Sequence, residues 1–498
     1  MALMTGVPIC DREDREGAAV RPRSLWARLY QATGRTAIGA ALASSIFLTP
    51  AATVMAQADD QQTVLDTEVN EILHKECDPI FLAAGLDPKH MTIVIVEHLF
   101  NAAAANTQLI FIGTDLIEKT DNPNQLIGVI AHETGHAAGG HALRAPEEEM
   151  HAAMAPFLLT LGLGLLAAIA GGRSGGANAG GALMSSASYF GTLGALGYSR
   201  EQEARADQAA LTYLEKAGES GKGLVDFFKN FQYEEVFEES RRYKFFGDHP
   251  LSDDRIQLLD RRAQELPHYS TVDAPDMVTE HEIMKAKLIG FTEAPQTAFF
   301  KYKDDDHSFV ARYARAIAYF RETETEKALK ATGSLLADYP DNPYLWELKG
   351  QILFDAGRTV EAEAAHRKSV ELKPDAPLLR INLAQAIVAQ ENGKRADDAL
   401  VELKKAIDLD PDQQDGASAF AYRLEAQAYD AKGMDGAARL AAAEEHFAIG
   451  DLAEARIFAL RARELLKPNT IEWRRATDIV LVSQPTHDDL QALAHQNG

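Results

Sequence analysis

Cysteine is nearly missing from these 498 residues: there are two, Cys10 and Cys77. Cys10 lies in an N-terminal stretch with the features of an export signal, so Cys77 is alone in the processed chain. No intramolecular disulfide can then form, and stability has to come from buried apolar surface. Basic residues are also short, with 50 Lys and Arg against 74 Asp and Glu and a formal net charge of -24. That balance excludes nucleic acid as a partner and offers no basic surface to anionic lipid. Ala152–Ala170 is uncharged and strongly apolar, but the stretch after it, Ala182–Tyr198, carries Ser185, Ser186, Ser188 and Thr192, which weaken a return span. We expect residues 152–198 to form a hydrophobic helical hairpin whose Gly-rich tip, Gly171–Gly181, lets it move as a lid over a cleft and touch a membrane.

What is present begins with the signal itself. Arg21, Arg23, Arg28 and Arg35 make a basic leader, Ala37–Leu48 a short apolar core ended by Pro50, and Ala56-Gln57-Ala58 a small-x-small cleavage site. Residues 1–58 are therefore expected to be removed near Ala58, placing the rest in the periplasm. About 440 residues remain, enough for a domain and a repeat array.

The most informative stretch is Leu126–His141, which contains His132-Glu133-Thr134-Gly135-His136. On a helix, positions i and i+4 share a face, so His132 and His136 can reach one metal ion. Glu133 sits one residue round, close enough to act as a general base without being a ligand. Leu126, Ile127, Val129 and Ile130 give the preceding turns the apolar spacing of a buried helix. Downstream, Ser199-Arg200-Glu201-Gln202-Glu203-Ala204-Arg205-Ala206-Asp207 starts a second helix with Glu203 and Asp207 four apart. Zinc hydrolases commonly combine two His with one Glu. Glu203 is thus the expected third ligand, and Asp207 is placed to accept from the far nitrogen of a ligating His.

Around this pair, Val64, Val69, Ile72 and Leu73 suggest a first helix within 64–90, with a loop through Gly85 and Pro88. Met91–Val96 and Gln108–Gly113 read as strands. Thr114 or Asp115 can cap a helix over Leu116–Lys119, and Asp121 or Asn122 with Pro123 opens the His132 helix. The edge of such a small sheet can bind an extended peptide by main-chain pairing. Phe227, Phe228, Phe231, Tyr233 and Phe237 form an aromatic cluster read as core. Residues 271–302 read as a linker with one helix, Glu280–Leu288. Beyond it the chain is repetitive: Pro340, Pro374 and Pro411 recur at near-regular spacing, with Ala328, Ala362 and Ala399 at matching offsets and Gly357 and Gly393 near turns. Trp346–Gly350 fits the first helix of a tetratricopeptide unit, and Gly433 and Gly450 suggest two degenerate units ending near Leu466–Pro468. The expected organisation is an α+β, mostly α, metal-binding domain over 59–270, helical repeats over 303–468, and a tail over 469–498.

The run HETGH, then SREQEARAD, then His249-Pro250 with Arg255-Ile256, resembles the zinc metallopeptidase family that includes HtpX and the CAAX prenyl protease, in its periplasmic branch with C-terminal tetratricopeptide repeats. The resemblance implies a gluzincin-like fold, one zinc held by His132, His136 and Glu203, and Glu133 as catalytic acid/base. It also implies that His249 lies near the metal, either steadying an oxyanion or filling the open position and keeping the enzyme latent, with Arg255 orienting that loop through a carboxylate. The chain departs from the family at Asn101–Ala104 and at Arg205, where an acidic residue is usual. Two functions emerge as expectations. One is a zinc endopeptidase of the cell envelope that cleaves misassembled proteins, its repeats recruiting protein substrates or outer-membrane assembly machinery. The other is a chaperone or scaffold working through the repeats, with a structural or latent metal site.

Overall fold

The computed structural model describes residues 63–104, 108–139, 199–232, 249, 251–390, 394–410, 417–487, 489, 491 and 493. The export segment, the 152–198 hairpin, Tyr233, Phe237 and Gly393 lie outside the described residues.

The strand β1 (Thr63–Val64) leads into helix α1 (Thr67–Ala84), capped by Asp66, whose carboxylate accepts from the Val69 N–H at 2.9 Å. Gly85, at φ +81°, ends it. One face of α1, with Val69, Ile72, Leu73, Cys77 and Ile80, is buried in the main core. Burial pushes the Cys77 thiol well above its ordinary pKa, as befits a packing residue. Strands β2 (Thr92–Val96), β3 (Ala102–Ala104) and β4 (Leu109–Gly113) complete a sheet in the order β1-β2-β4-β3. The β-branched run of β2 pairs in parallel with β4, Ile93 opposite Ile110 and Ile95 opposite Ile112, while both outer strands run antiparallel. Neither outer strand is evident in the sequence, since β1 is two residues long and β3 is three alanines.

Helices α2 (Thr114–Lys119), α3 (Pro123–Ala138), α4 (Arg200–Ala217), α5 (Lys222–Phe231) and α6 (Asp253–Gln264) come after the sheet. Neither Thr114 nor Asp115 caps α2. The cap position is Gly113, and the Thr114 hydroxyl instead accepts from the His98 N–H at 3.0 Å. The stretch 271–302 carries two helices rather than one: α7 (Pro275–Thr292) and α8 (Pro295–Lys301). Met284 and Leu288 of α7 enter the core under the sheet, whereas Ala286 and Ile289 join the apolar cluster of the next helices. This helix thereby fastens the sheet-containing part to the helical array beyond it.

Five helix pairs come next: α9 (Phe309–Arg321) with α10 (Thr325–Asp338), α11 (Pro343–Asp355) with α12 (Thr359–Leu372), α13 (Pro377–Val388) with α14 (Ala396–Leu409), α15 (Ala417–Ala431) with α16 (Asp435–Ala448), and α17 (Leu452–Leu465) with α18 (Ile471–Val482). Ala328, Ala362 and Ala399 are fully buried, as close helix packing requires. Gly357 and Gly433 adopt positive φ between paired helices. No helix among the described residues is long and apolar enough to cross a membrane.

Lys287 of α7 is buried between the two parts, 2.8 Å from Asp66 and 3.1 Å from Glu68. Glu347 of α11 lies close enough to feel all three charges. Burial, reinforced by Asp66 and Glu68 and opposed by Lys287, lifts its pKa to about 8. Because the folded pKa is raised, the folded state holds its proton more tightly than the unfolded chain does. That stabilisation is complete below the ordinary carboxyl range and is lost as pH climbs toward about 8. Glu347→Gln, which mimics the neutral acid, should match the wild type in Tm near pH 5 and exceed it by several degrees near pH 9. Parallel Tm–pH curves would contradict the assignment.

Candidate metal centre

The site is built where α3 and α4 cross. Asn122 caps α3 by accepting from the Gln125 N–H at 3.0 Å, and Pro123 occupies the first turn, where its missing N–H costs nothing. A reciprocal capping box of Ser199 and Gln202 starts α4. The two helices approach backbone to backbone because Gly135 has no side chain: a Cβ there would lie 2.9 Å from the Ala206 carbonyl oxygen. The same holds at Gly128, where a Cβ would lie 2.7 Å from the Leu224 nitrogen of α5. This closeness carries the Glu203 carboxylate to the imidazoles of α3.

His132, His136, Glu203 and His249 are buried, with one ligand-type atom from each lying within 4.8 Å of the others. The Nε2 atoms of His132 and His136 are 3.1 Å apart, and His249 Nδ1 is 3.3 Å from His132 Nε2. Glu203 Oε1 is 3.0 Å from His249 Nδ1 and 3.5 Å from His136 Nε2. Donors bound at about 2.0–2.1 Å to a tetrahedral zinc stand about 3.3 Å apart along each edge. The observed spacings scatter around that edge length, and the donors are of the borderline kind that zinc takes, so the residues fit such an ion. His249 would supply the fourth corner.

Behind these donors lies a second set. Asp207 Oδ1 is 3.1 Å from His132 Nδ1, the nitrogen facing away from the cluster. Arg255 of α6 grips Asp207 with two hydrogen bonds, Nε to Oδ2 at 2.7 Å and Nη2 to Oδ1 at 2.8 Å, and reaches Glu203 Oε2 at 2.8 Å. Arg255 therefore touches the carboxylates of α4, one of which also meets His249. Burial works against charge on Asp207, but the Arg255 and His132 hydrogen bonds outweigh it and hold its carboxyl below the usual range. Burial likewise opposes a proton on His132, yet Asp207 and Glu203 together hold its pKa up to about 9 with no cation present. A cation can take the place of that proton.

Glu133 is fully buried beside the cluster. Its Oε2 accepts from the Ala104 N–H at 3.1 Å, and its Oε1 is 3.5 Å from His249 Nε2. Burial holds its carboxyl above the ordinary range while His249 and His132 pull it back. All seven residues singled out in the sequence, His132, Glu133, His136, Glu203, Asp207, His249 and Arg255, are thus brought to one place. Two neighbours escape a reading of the sequence. Ala104 acts through its backbone, which leaves no mark in composition. Phe228 meets the edge of His132 with ring centroids 6.0 Å apart and lies 5.0 Å under the Arg255 guanidinium, besides filling the core. Arg205, the departure from the family pattern, is exposed and pairs with Glu201 at 2.6 Å.

An HExxH helix crossed by a helix that brings a buried Glu to its two His, under a small sheet and ahead of helical repeats, is the arrangement of a metallopeptidase-type domain. Residues 67–263 match the model of Peptidase family M48. The beta-barrel assembly-enhancing protease of Yersinia pestis is 24% identical over 308 residues, 60% of this chain and 61% of that protein. The protein of the same name in Escherichia coli K12 is 24% identical over 307 residues, 60% of each chain. The chain thus spans about three fifths of the length of these relatives. Metalloprotease YcaL of Escherichia coli K12 is 33% identical over 142 residues, 28% of this chain and 48% of YcaL. Among solved structures, that of yeast Tom70 aligns with 13% identity over 74% of this chain and 91% of the other at a TM-score of 0.27, too distant a likeness to bear on the fold.

Because Gly135 and Gly128 set the helix spacing, Gly135→Ala should overpack the α3–α4 crossing and cost about 1–3 kcal/mol in urea unfolding. An unchanged unfolding midpoint would show that the crossing has slack.

Proposed function

We propose that the chain is a zinc-dependent endopeptidase of the periplasm, exported with cleavage near Ala58, that degrades or processes misassembled outer-membrane or periplasmic proteins. Its repeats recruit those proteins or the machinery that assembles them. The observation that carries this reading is the fully buried Glu133 beside a cluster of His132, His136 and Glu203 whose spacing suits one zinc ion. The names of the relatives, proteases that enhance beta-barrel assembly, support the class of substrate.

A zinc ion in such a site acts as a Lewis acid toward a carbonyl and lowers the pKa of water at an open position to about 7. The residues of this chain do the remainder. Glu133 takes a proton from the attacking water and delivers it to the leaving amine, a role suited to a carboxylate whose burial keeps it proton-hungry. Asp207 accepts from His132 Nδ1, fixing the tautomer that leaves Nε2 free to ligate, and Arg255 holds Asp207 and Glu203 in register. The strand β3 is the sheet's outer edge on the side of Glu133, so an extended peptide pairing with it would lie along the site.

His249 decides between an open and a closed site. Its Nδ1 stands among the donor atoms, as a fourth ligand would, and this favours the latency role over the oxyanion role. A closed set of four donors also suits the second reading, a chaperone or scaffold with a structural metal. A structural site gives no reason for a buried Glu133 facing His249, so the latched peptidase is the better account.

The test compares zinc content and casein cleavage of the full chain with those of two variants. Glu133→Gln should keep its metal and lose about 10²–10⁴ in rate, and normal cleavage would remove Glu133 from the role of base. His249→Ala should keep metal and cleave faster. A loss of activity would assign His249 to catalysis, and no cleavage by any form would leave the scaffold reading standing.

A further inference from the structure

The repeats already hold a ligand, and it belongs to the same chain. The segment from Leu65 to Glu71, entering α1, lies against the first helices of successive pairs. Leu65 packs on the cluster that contains Leu379, Leu383 and Leu424 of α13 and α15. Asp66 and Glu68 pair with Lys287, and the Tyr313 hydroxyl of α9 donates to Glu68 Oε2 at 2.9 Å. Glu71 pairs with Lys373 at 2.7 Å and accepts from the Tyr344 hydroxyl of α11. A leucine and three carboxylates thus meet an apolar pocket, two lysines and two tyrosine hydroxyls. Stacked helical repeats use this kind of surface to take up an extended or helical segment of another protein.

Lys287 faces Asp66 and Glu68 from the segment, so a ligand without those carboxylates would leave a buried ammonium unpaired. On the other side the segment is held by the two-residue pairing of β1 with β2 and by Val69 in the main core. Helix α7 joins the two parts through its own buried residues, so the segment can leave without separating them.

We propose that this face of the repeats is a receptor for an acidic, leucine-bearing protein segment, and that residues 63–71 fill it in cis until a partner carrying such a segment displaces them. The proposal holds whether or not the metal site is hydrolytic. Since α1 packs by its opposite face on α3, which carries His132 and His136, exchange at the receptor would also loosen the support of the metal helix.

The probe is a fluorescein-labelled peptide with the sequence of residues 63–73, beside a neutral copy with Asn and Gln in place of its acidic residues. Binding is read by anisotropy on the full chain and on its Asp66→Asn/Glu68→Gln variant. Occupancy in cis lowers apparent affinity by the fraction of receptor left free, so the acidic peptide should bind the variant at least about tenfold more tightly than the wild type. Adding Lys287→Met to the variant should abolish binding, and the neutral peptide should bind neither chain. Equal affinity for both peptides, equal affinity of both chains, or no binding by a variant that circular dichroism shows to be folded would overturn the proposal. Should the double variant not fold, Glu71→Gln, which alters a half-exposed side chain, serves in its place with a smaller ratio expected. On the wild type, saturating acidic peptide should speed hydrogen exchange at Val69 and Asn70, and unchanged exchange there would also overturn it.

Discussion

The delivery of the Glu203 carboxylate to the His132–His136 pair is the contact on which everything else rests. It joins two helices that begin 77 residues apart in the chain, and it exists because Gly135 lets their backbones touch. Carboxylate and imidazoles are all buried, an arrangement that is costly unless each charge is matched. The matching is visible from behind: Arg255 neutralises Asp207 and reaches Glu203, and Asp207 Oδ1 lies 3.1 Å from His132 Nδ1. From the front a divalent cation would complete the balance, and the spacing of the donors is that of a tetrahedral site.

How much of this is legible in the chain depends on whether the relevant residues are neighbours along it. His132, Glu133 and His136 share one helical turn, and Glu203 with Asp207 another, so helical geometry alone assigns their faces. The strands β2 and β4 announce themselves through β-branched residues. Strand β3 does not: three alanines have little intrinsic preference for a strand, and pairing with β4 imposes the conformation on them. The 271–302 stretch reads as a linker because Pro275 and Pro295 look like breaks, although proline is at home in the first turn of a helix and both residues open one here. His249 and Arg255 reach the site from outside its helices, and only the resemblance to a family points to them.

The contacts between the first helix and the repeats are illegible for the same reason in stronger form. Tyr313 and Glu68 are 245 residues apart, and nothing in either local sequence names the other. The result is a chain in which α1 has two allegiances, one face in the core that also holds α3 and its first turn against helices of the repeats. On the reading proposed above, recognition and the metal centre lie at opposite faces of one helix. On that reading both are closed by parts of the same chain, His249 at one end and residues 63–71 at the other.

The most direct test of the account is the metal content of the purified chain with and without the distant carboxylate. Inductively coupled plasma mass spectrometry on the full-length protein should find one zinc per chain in the wild type. Glu203→Ala, with its fold preserved by circular dichroism, should lose most of that zinc after dialysis. A wild-type chain that retains no metal, or a Glu203→Ala chain that retains it fully, would contradict the claim that α3 and α4 together hold the ion.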